Sequence, residues 1–176
     1  MEPDIEIAVN VPWQNTFLEL SRRKLLEEFW PGICTCLDKL TDEQIWWRPN
    51  EASNSIGNLI LHLNGNVKQW IVSTFSEATD QRNRPAEFRE RRHIPAAELR
   101  NNLDQTLNEV DRILRRLEER DLLKRFDIQK YEAVTGLEAV FHVVEHFAMH
   151  YGQILYITKM LEGQDLGFFK YLDQPA

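Results

Sequence analysis

TGLEAVFHVVEHFAMHYGQILYITKMLEG, residues 135–163, carries both ends of a long helix and three evenly spaced histidines between them. Thr135, with Glu138 three residues on, has the form of a capping box, in which each side chain serves the other's backbone N–H. Gly163, soon after Lys159, Met160 and Leu161, fits a left-handed helix stop. Leu137, Val144, Ala148 and Leu155 hold one side of the interval, and Ala139, Val143 and Ile157 much of the other. A helix apolar nearly all round is buried on most sides. His142, His146 and His150 lie on that second side, so they are not part of a simple solvated face. Buried imidazoles need partners, because an unpaired polar group in a core costs about 1–3 kcal/mol.

The i, i+4, i+8 spacing puts the three imidazoles on one helix face. His142 and His150 are still roughly 12 Å apart along the axis, at about 1.5 Å per residue. One metal ion, with bonds of ~2 Å, cannot take all three. It can take two adjacent ones plus a ligand from elsewhere, and the spacing leaves both adjacent pairs open.

Three more helical stretches precede this one. The first runs from about Asn15 to Leu40 through Leu25, Leu26, Phe29, Ile33 and Leu37, with Pro31-Gly32 inside it. The apolar spacing passes Pro31-Gly32 in phase, which predicts a kink rather than two separate helices. The second starts near Ser53 or Ser55, either of which suits an N-cap. Its stripe is Ile56, Leu59, Ile60, Leu63, Val67, Trp70 and Ile71. His62 falls about 120° from the centre of that stripe and Asn66 about 80°, at 100° per residue. Both are flank positions, which neither make nor exclude a ligand.

A long charged connection, SEATDQRNRPAEFRERRHIP, follows, broken by Pro85 and Pro95. Pro95 suits the first position of the third helix, expected to run to about Arg120 through Leu99, Leu103, Leu107, Val110, Ile113, Leu114 and Leu117. RDLLKRFDIQKYEAV then crosses to the last helix, with a short extended piece. The expectation is an all-α fold, one domain over residues 1–176.

At 43% hydrophobic and 28% charged, the chain reads as an ordinary globular protein. A net charge of -7 disfavours a general nucleic-acid binder. The basic excess of residues 82–125, twelve Lys/Arg against nine Asp/Glu, reads as a solvated, ion-paired helix face. No apolar run approaches the ~18–20 residues of a membrane span. MEPDIEIAVNVPW is acidic and lacks the features of a signal peptide, which predicts the reducing cytoplasm. Cys34 and Cys36, about 200° apart on a helix, suit structural roles better than a shared metal. Trp46 and Trp47 are expected to cover a core edge.

The familiar catalytic patterns are missing: no G-x-S-x-G, P-loop, G-x-G-x-x-G or H-E-x-x-H occurs. The one E-x-x-H, Glu90 to His93, lies in the proline-broken link and argues against a carboxylate-bridged dimetal bundle. His93 is expected at the surface. Three neutral imidazoles around one ion leave a position open for water, a thiolate or a carbonyl, as catalytic sites do.

H-x3-H-Y-G-Q in the last helix, NSIGNLILHLNGN in the second, the RNRPAEF segment and the closing ILYITKMLEGQDLGFF together resemble the DinB-like (YfiT-like) superfamily of metal-dependent enzymes, over about Trp13 to Phe169. The resemblance implies a four-helix bundle with a long crossover connection, often a homodimer. It implies a triad of one histidine from the second helix and the H-x3-H pair of the last, which here are His62, His146 and His150. Asn66, His142, Glu145, Tyr151 and Gln153 are then the candidates to support the ligands or line the cavity. Tyr151 stands where many members have Arg, so recognition of an anionic group there is left open.

Some members resemble transferases or isomerases that use a low-molecular-weight thiol. A borderline metal such as zinc or nickel lowers the pKa of a bound thiol as it does that of water. A small-molecule substrate, no nucleic acid and no membrane complete the expectation. Two other readings compete: a non-catalytic, stress-associated bundle that uses a metal for stability or dimerises, and a hydrolase with Glu145 as a nearby base. Glu145 projects about 100° from His146, which weakens the last.

Overall fold

The capping signals of the last helix act as their chemistry dictates. Thr135 Oγ1 accepts from the Glu138 N–H at 3.2 Å, Glu138 Oε2 accepts from the Thr135 N–H at 2.7 Å, and Gly163 stops the helix at φ 65°. A computed structural model describes residues 12–76 and 78–168. The acidic stretch 1–11 and Phe169, at the ends of the readings above, lie outside the described residues.

Helix α1 (Trp13–Arg22), a π-helical stretch (Arg23–Phe29) and α2 (Trp30–Leu37) follow without a break. The wide turns end as the Trp30 N–H bonds the Leu25 carbonyl, one residue before Pro31. Pro31 lacks the N–H that would continue the ladder. At Pro31-Gly32, where the spacing predicts a kink within one helix, the chain stays helical and widens locally ahead of the proline. The short α3 (Asp42–Trp46) starts at Thr41, with a capping box to Gln44. Ser55, rather than Ser53, caps α4 (Ile56–Val67), paired with Asn58. Helix α4 continues through a second π-helical stretch (Lys68–Val72) into α5 (Ser73–Phe75).

The charged connection holds a helix of its own, α6 (Arg84–Arg89), with Pro85 in its first turn. Asn58 pins it, donating from Nδ2 to the carbonyls of Glu87 at 2.9 Å and Glu90 at 3.2 Å. Helix α7 (Ala96–Leu114) starts directly after Pro95, which is its N-cap. It ends earlier than the apolar spacing suggests. Leu117 continues the stripe, but the chain turns there, and Glu118 opens α8 (Glu119–Leu123) with its own box to Asp121.

The extended piece is a hairpin of β1 (Arg125–Ile128) and β2 (Tyr131–Thr135), antiparallel with a bulge. Gln129 at its turn has φ 58°. Then comes α9 (Gly136–Glu162). The fold is an all-α bundle: four long helical stretches, at 13–37, 56–75, 96–114 and 136–162, with the hairpin as the one sheet among the described residues. Among the described residues, no helix is long and apolar enough to cross a membrane.

Leu25 and Ile33, Leu63 and Ile71, Leu103 and Val110, and Val143 and Phe147, two from each long stretch, are fully buried together. Trp46 is buried across Gly57 and donates from Nε1 to the Ile94 carbonyl at 2.9 Å. Trp47 is exposed, as is His93, whose ring stacks on Trp46. Cys36 is buried and Cys34 half-buried, both free thiols. Helix α9 is less enclosed than its composition predicts. Ala139, Val140, Val143, Phe147, His150, Ile154 and Thr158 face inward, while Phe141, Met149, Tyr156 and Met160 are exposed. The other helices cover one side of it and leave an outer face on which these four hydrophobics alternate with exposed Glu138, Glu145 and Lys159.

Candidate metal centre

The structure brings His62, His146 and His150 together. Their ligand atoms lie within 4.8 Å of one another. His62 Nε2 is 2.8 Å from His146 Nε2, which is 3.2 Å from His150 Nε2. Helices α4 and α9 supply the residues. His62, a flank residue by periodicity, is 3% exposed because α6 closes over it. The Phe88 ring lies 4.5 Å from its imidazole, centroid to centroid.

Each outer histidine is held from behind. Glu87 Oε2 sits 2.8 Å from His62 Nδ1. Gln153 Oε1 sits 2.7 Å from His150 Nδ1. Both oxygens can only accept, so both Nδ1 atoms carry the proton and both Nε2 atoms present lone pairs. Arg82 completes the support. Its Nε donates to Glu87 Oε1 at 2.8 Å and its Nη2 to Glu87 Oε2 at 3.0 Å. The side chains of Arg82 and Glu87 are only 4% and 10% exposed. Burial works to raise the Glu87 carboxyl, but the hydrogen bonds from His62 and Arg82 outweigh it and hold Glu87 below its ordinary range. Arg82 also bonds Gln69 at 2.9 Å, and Gln69 meets the amide of Gln129 on the hairpin.

This wiring tests whether a cation fits. With His62 and His150 both presenting lone pairs, a single proton on His146 Nε2 can serve only one of them well. One ion at the meeting point would satisfy all three nitrogens. Burial first, and then the neighbouring His150 and His62, push His146 down to about 3. Burial also lowers His142 and His150. Neutral imidazole is the ligating form. The cluster could hold a metal ion, with the outer partners that ligating histidines need.

The supporting candidates divide. Gln153 bonds His150. Asn66 donates from Nδ2 to His142 Nε2 at 3.2 Å, one turn from the triad. His142 stacks on Trp70, with centroids 3.9 Å apart, and stays outside the cluster. Glu145 is exposed. Tyr151 faces α2, its ring against Gly32 and 5.7 Å from the Phe29 ring. Glu87 and Arg82 escape a periodicity reading because they sit in a charged, proline-broken link. Two signals are in the sequence: Pro85 starting a turn two residues before Glu87, and the RNRPAEF segment, residues 82–88, which contains both Arg82 and Glu87 and carries part of the resemblance. Beside Gln153 opens a groove of about 650 Å³, lined by Asn54, Leu59, Met149, Gly152, Tyr156 and Met160 among others.

Comparison with known proteins agrees with this architecture. A crystal structure described as that of the conserved protein of locus from Enterococcus faecalis is similar, with a TM-score of 0.67 at 17% identity, covering 83% of this chain and 97% of that one. At that identity the likeness speaks for the fold alone. No curated protein matches the chain significantly. A family profile matches residues 14–172, nearly the whole chain, and on that match the chain belongs to the family described as "Protein of unknown function (DUF1572)".

Proposed function

We propose that His62, His146 and His150 hold one divalent ion, zinc or nickel, and that the protein is a metal-dependent enzyme of the DinB-like (YfiT-like) type. The observation that carries this is the convergence of three Nε2 atoms with two Nδ1 atoms tied from behind, to Glu87 and Gln153. A bound ion with three protein ligands would supply a Lewis acid with an open position, able to acidify a thiol or water. The chain's own residues do the rest. Glu87 and Gln153 orient the imidazoles, Arg82 keeps Glu87 charged, and Phe88 shields His62 from solvent.

The resemblance favours a low-molecular-weight thiol as cosubstrate, in an S-transferase reaction on a small molecule in the cytoplasm. The exposed position of Glu145 weighs against hydrolysis with that residue as base. The test is metal content by plasma mass spectrometry on untagged protein. About one ion per chain is expected in the wild type and none in His146→Ala. Equal content in the two would refute the triad. A thiol-plus-electrophile screen follows, and a metal that raises the melting temperature without supporting turnover would favour the non-catalytic bundle.

The outer face of α9 supports a homodimer in this reading. Phe141, Met149, Tyr156 and Met160 are exposed along one side of the helix, and nothing lies within 4 Å of where a Gly152 Cβ would stand. A mid-helix glycine costs about 1 kcal/mol against alanine. No contact among the described residues requires it, whereas a second copy crossing there would. Sedimentation should give a dimer that Tyr156→Glu dissociates; a monomeric wild type would reject it.

A further inference from the structure

Helices α4 and α9 carry a second polar rung beside the triad. Asn66 lies one turn on from His62, and His142 one turn before His146. The two rungs run side by side: the His142 and His146 rings are 5.3 Å apart, centroid to centroid, and within 19° of parallel. Asn66 is 3% exposed. Its Nδ2 donates to His142 Nε2 at 3.2 Å, and His142 is itself stacked on Trp70. The amide is therefore held by one end. Its other end, Oδ1, is buried and has no hydrogen-bond partner among the described residues. A buried acceptor left unpaired costs about 1–3 kcal/mol, and native folds keep few of them. The neighbouring polar side chains His62, Glu87, Arg82, Gln69 and His150 are all paired.

We propose that Asn66 Oδ1 is the second anchor of the site. It accepts a hydrogen bond from an N–H or O–H of the molecule that binds at the three histidines. The ligand class is a small polar molecule that joins a metal-binding atom to a nearby hydrogen-bond donor. His142 is a positioning residue. By receiving Nδ2 it fixes which end of the amide is left for the ligand. This inference rests on the metal reading above.

The test uses cobalt(II)-loaded protein and two probes, imidazole and 1-methylimidazole, followed by visible absorption. Both offer a ring nitrogen to the metal, but only imidazole keeps an N–H on the far side. The wild type should bind imidazole about tenfold more tightly, the scale of one buried hydrogen bond. Asn66→Leu keeps the bulk and removes the acceptor, so the two affinities should become equal while cobalt content stays at one per chain. Equal affinities in the wild type, or a preference that survives Asn66→Leu, would overturn the anchor and leave the metal reading intact. No cobalt absorption in the wild type would overturn both. The wild-type comparison decides even if the variant fails to fold.

Discussion

Replacing Glu87 by glutamine keeps the shape of the side chain and removes its charge, and two separable losses should follow. The first is stability. Arg82, its side chain 4% exposed, loses the one carboxylate it pairs with among the described residues. Uncovering a buried charge costs about 3–5 kcal/mol. The lower end applies, because the glutamine oxygen still accepts one bond and Gln69 still accepts another at 2.9 Å. About 3 kcal/mol in a chain of this size lowers the melting temperature by roughly 6–12 °C. The second loss is metal affinity. With a carboxylate 2.8 Å away, His62 Nδ1 must carry the proton. A carboxamide can present either end, and His62 is free to turn its lone pair away. Losing such an outer partner costs about 10–100-fold in affinity. Thermal unfolding of metal-free protein measures the first loss and chelator competition for zinc the second. The double variant Arg82→Met/Glu87→Gln should recover most of the stability and none of the affinity. Zinc bound by Glu87→Gln as tightly as by the wild type would refute the idea that Glu87 orients a ligand.

Thr135→Ala removes one half of the box that starts α9 and should cost about 1 kcal/mol, read as a fall of a few degrees in melting temperature; an unchanged value would mean that packing alone holds the first turn. Gly32→Ala would drive a methyl into the Tyr151 ring, and overpacking of about 1–3 kcal/mol should outweigh the gain in helix propensity. Adding Tyr151→Leu should reverse the sign, and denaturant midpoints would show whether it does. Metal-free protein should lose stability in acid. The folded state holds His146 at about 3 against 6.5, so the unfolded chain takes up protons that the folded one refuses. This contribution is complete above pH 6.5 and is lost progressively as pH falls from 6.5 toward 3. A melting temperature that stays flat between pH 7 and 4 in the presence of a chelator would contradict it.

The parts legible in the sequence are those that local chemistry decides. Thr135 and Gly163 bound their helix because caps act over three or four residues, and the start of α4 was legible as far as Ser53 or Ser55. The end of α7 was less legible, because apolar spacing runs on through Leu117 while the chain has already turned toward the hairpin. His62 shows the same limit at the candidate site. Its angle on α4 makes it a flank residue, and only the docking of α6 buries it. That docking depends on Asn58 reaching the carbonyls of Glu87 and Glu90, a contact no periodicity contains. Resemblance brought the triad into one set; Glu87 and Arg82 emerged only once the crossover was seen to fold back.

The widened turns of Lys68–Val72 act as a phase shifter. They begin directly after Val67, so Asn58, His62 and Asn66 lie ahead of the shift and Gln69 and Trp70 within it. Deleting one residue from this stretch would let α4 run on as a regular helix with everything beyond it still in phase, because a π-helical stretch takes up one extra residue within the same turns. The cost would depend on which residue is lost: without Trp70 the His142 ring loses its stack, and without Gln69 Arg82 loses its link to Gln129, while the three histidines keep their places. The helix therefore contains a register boundary, with the nitrogen cluster on one side and its aromatic wall on the other. The stretch can lose its one extra residue without turning either the wall or the cluster.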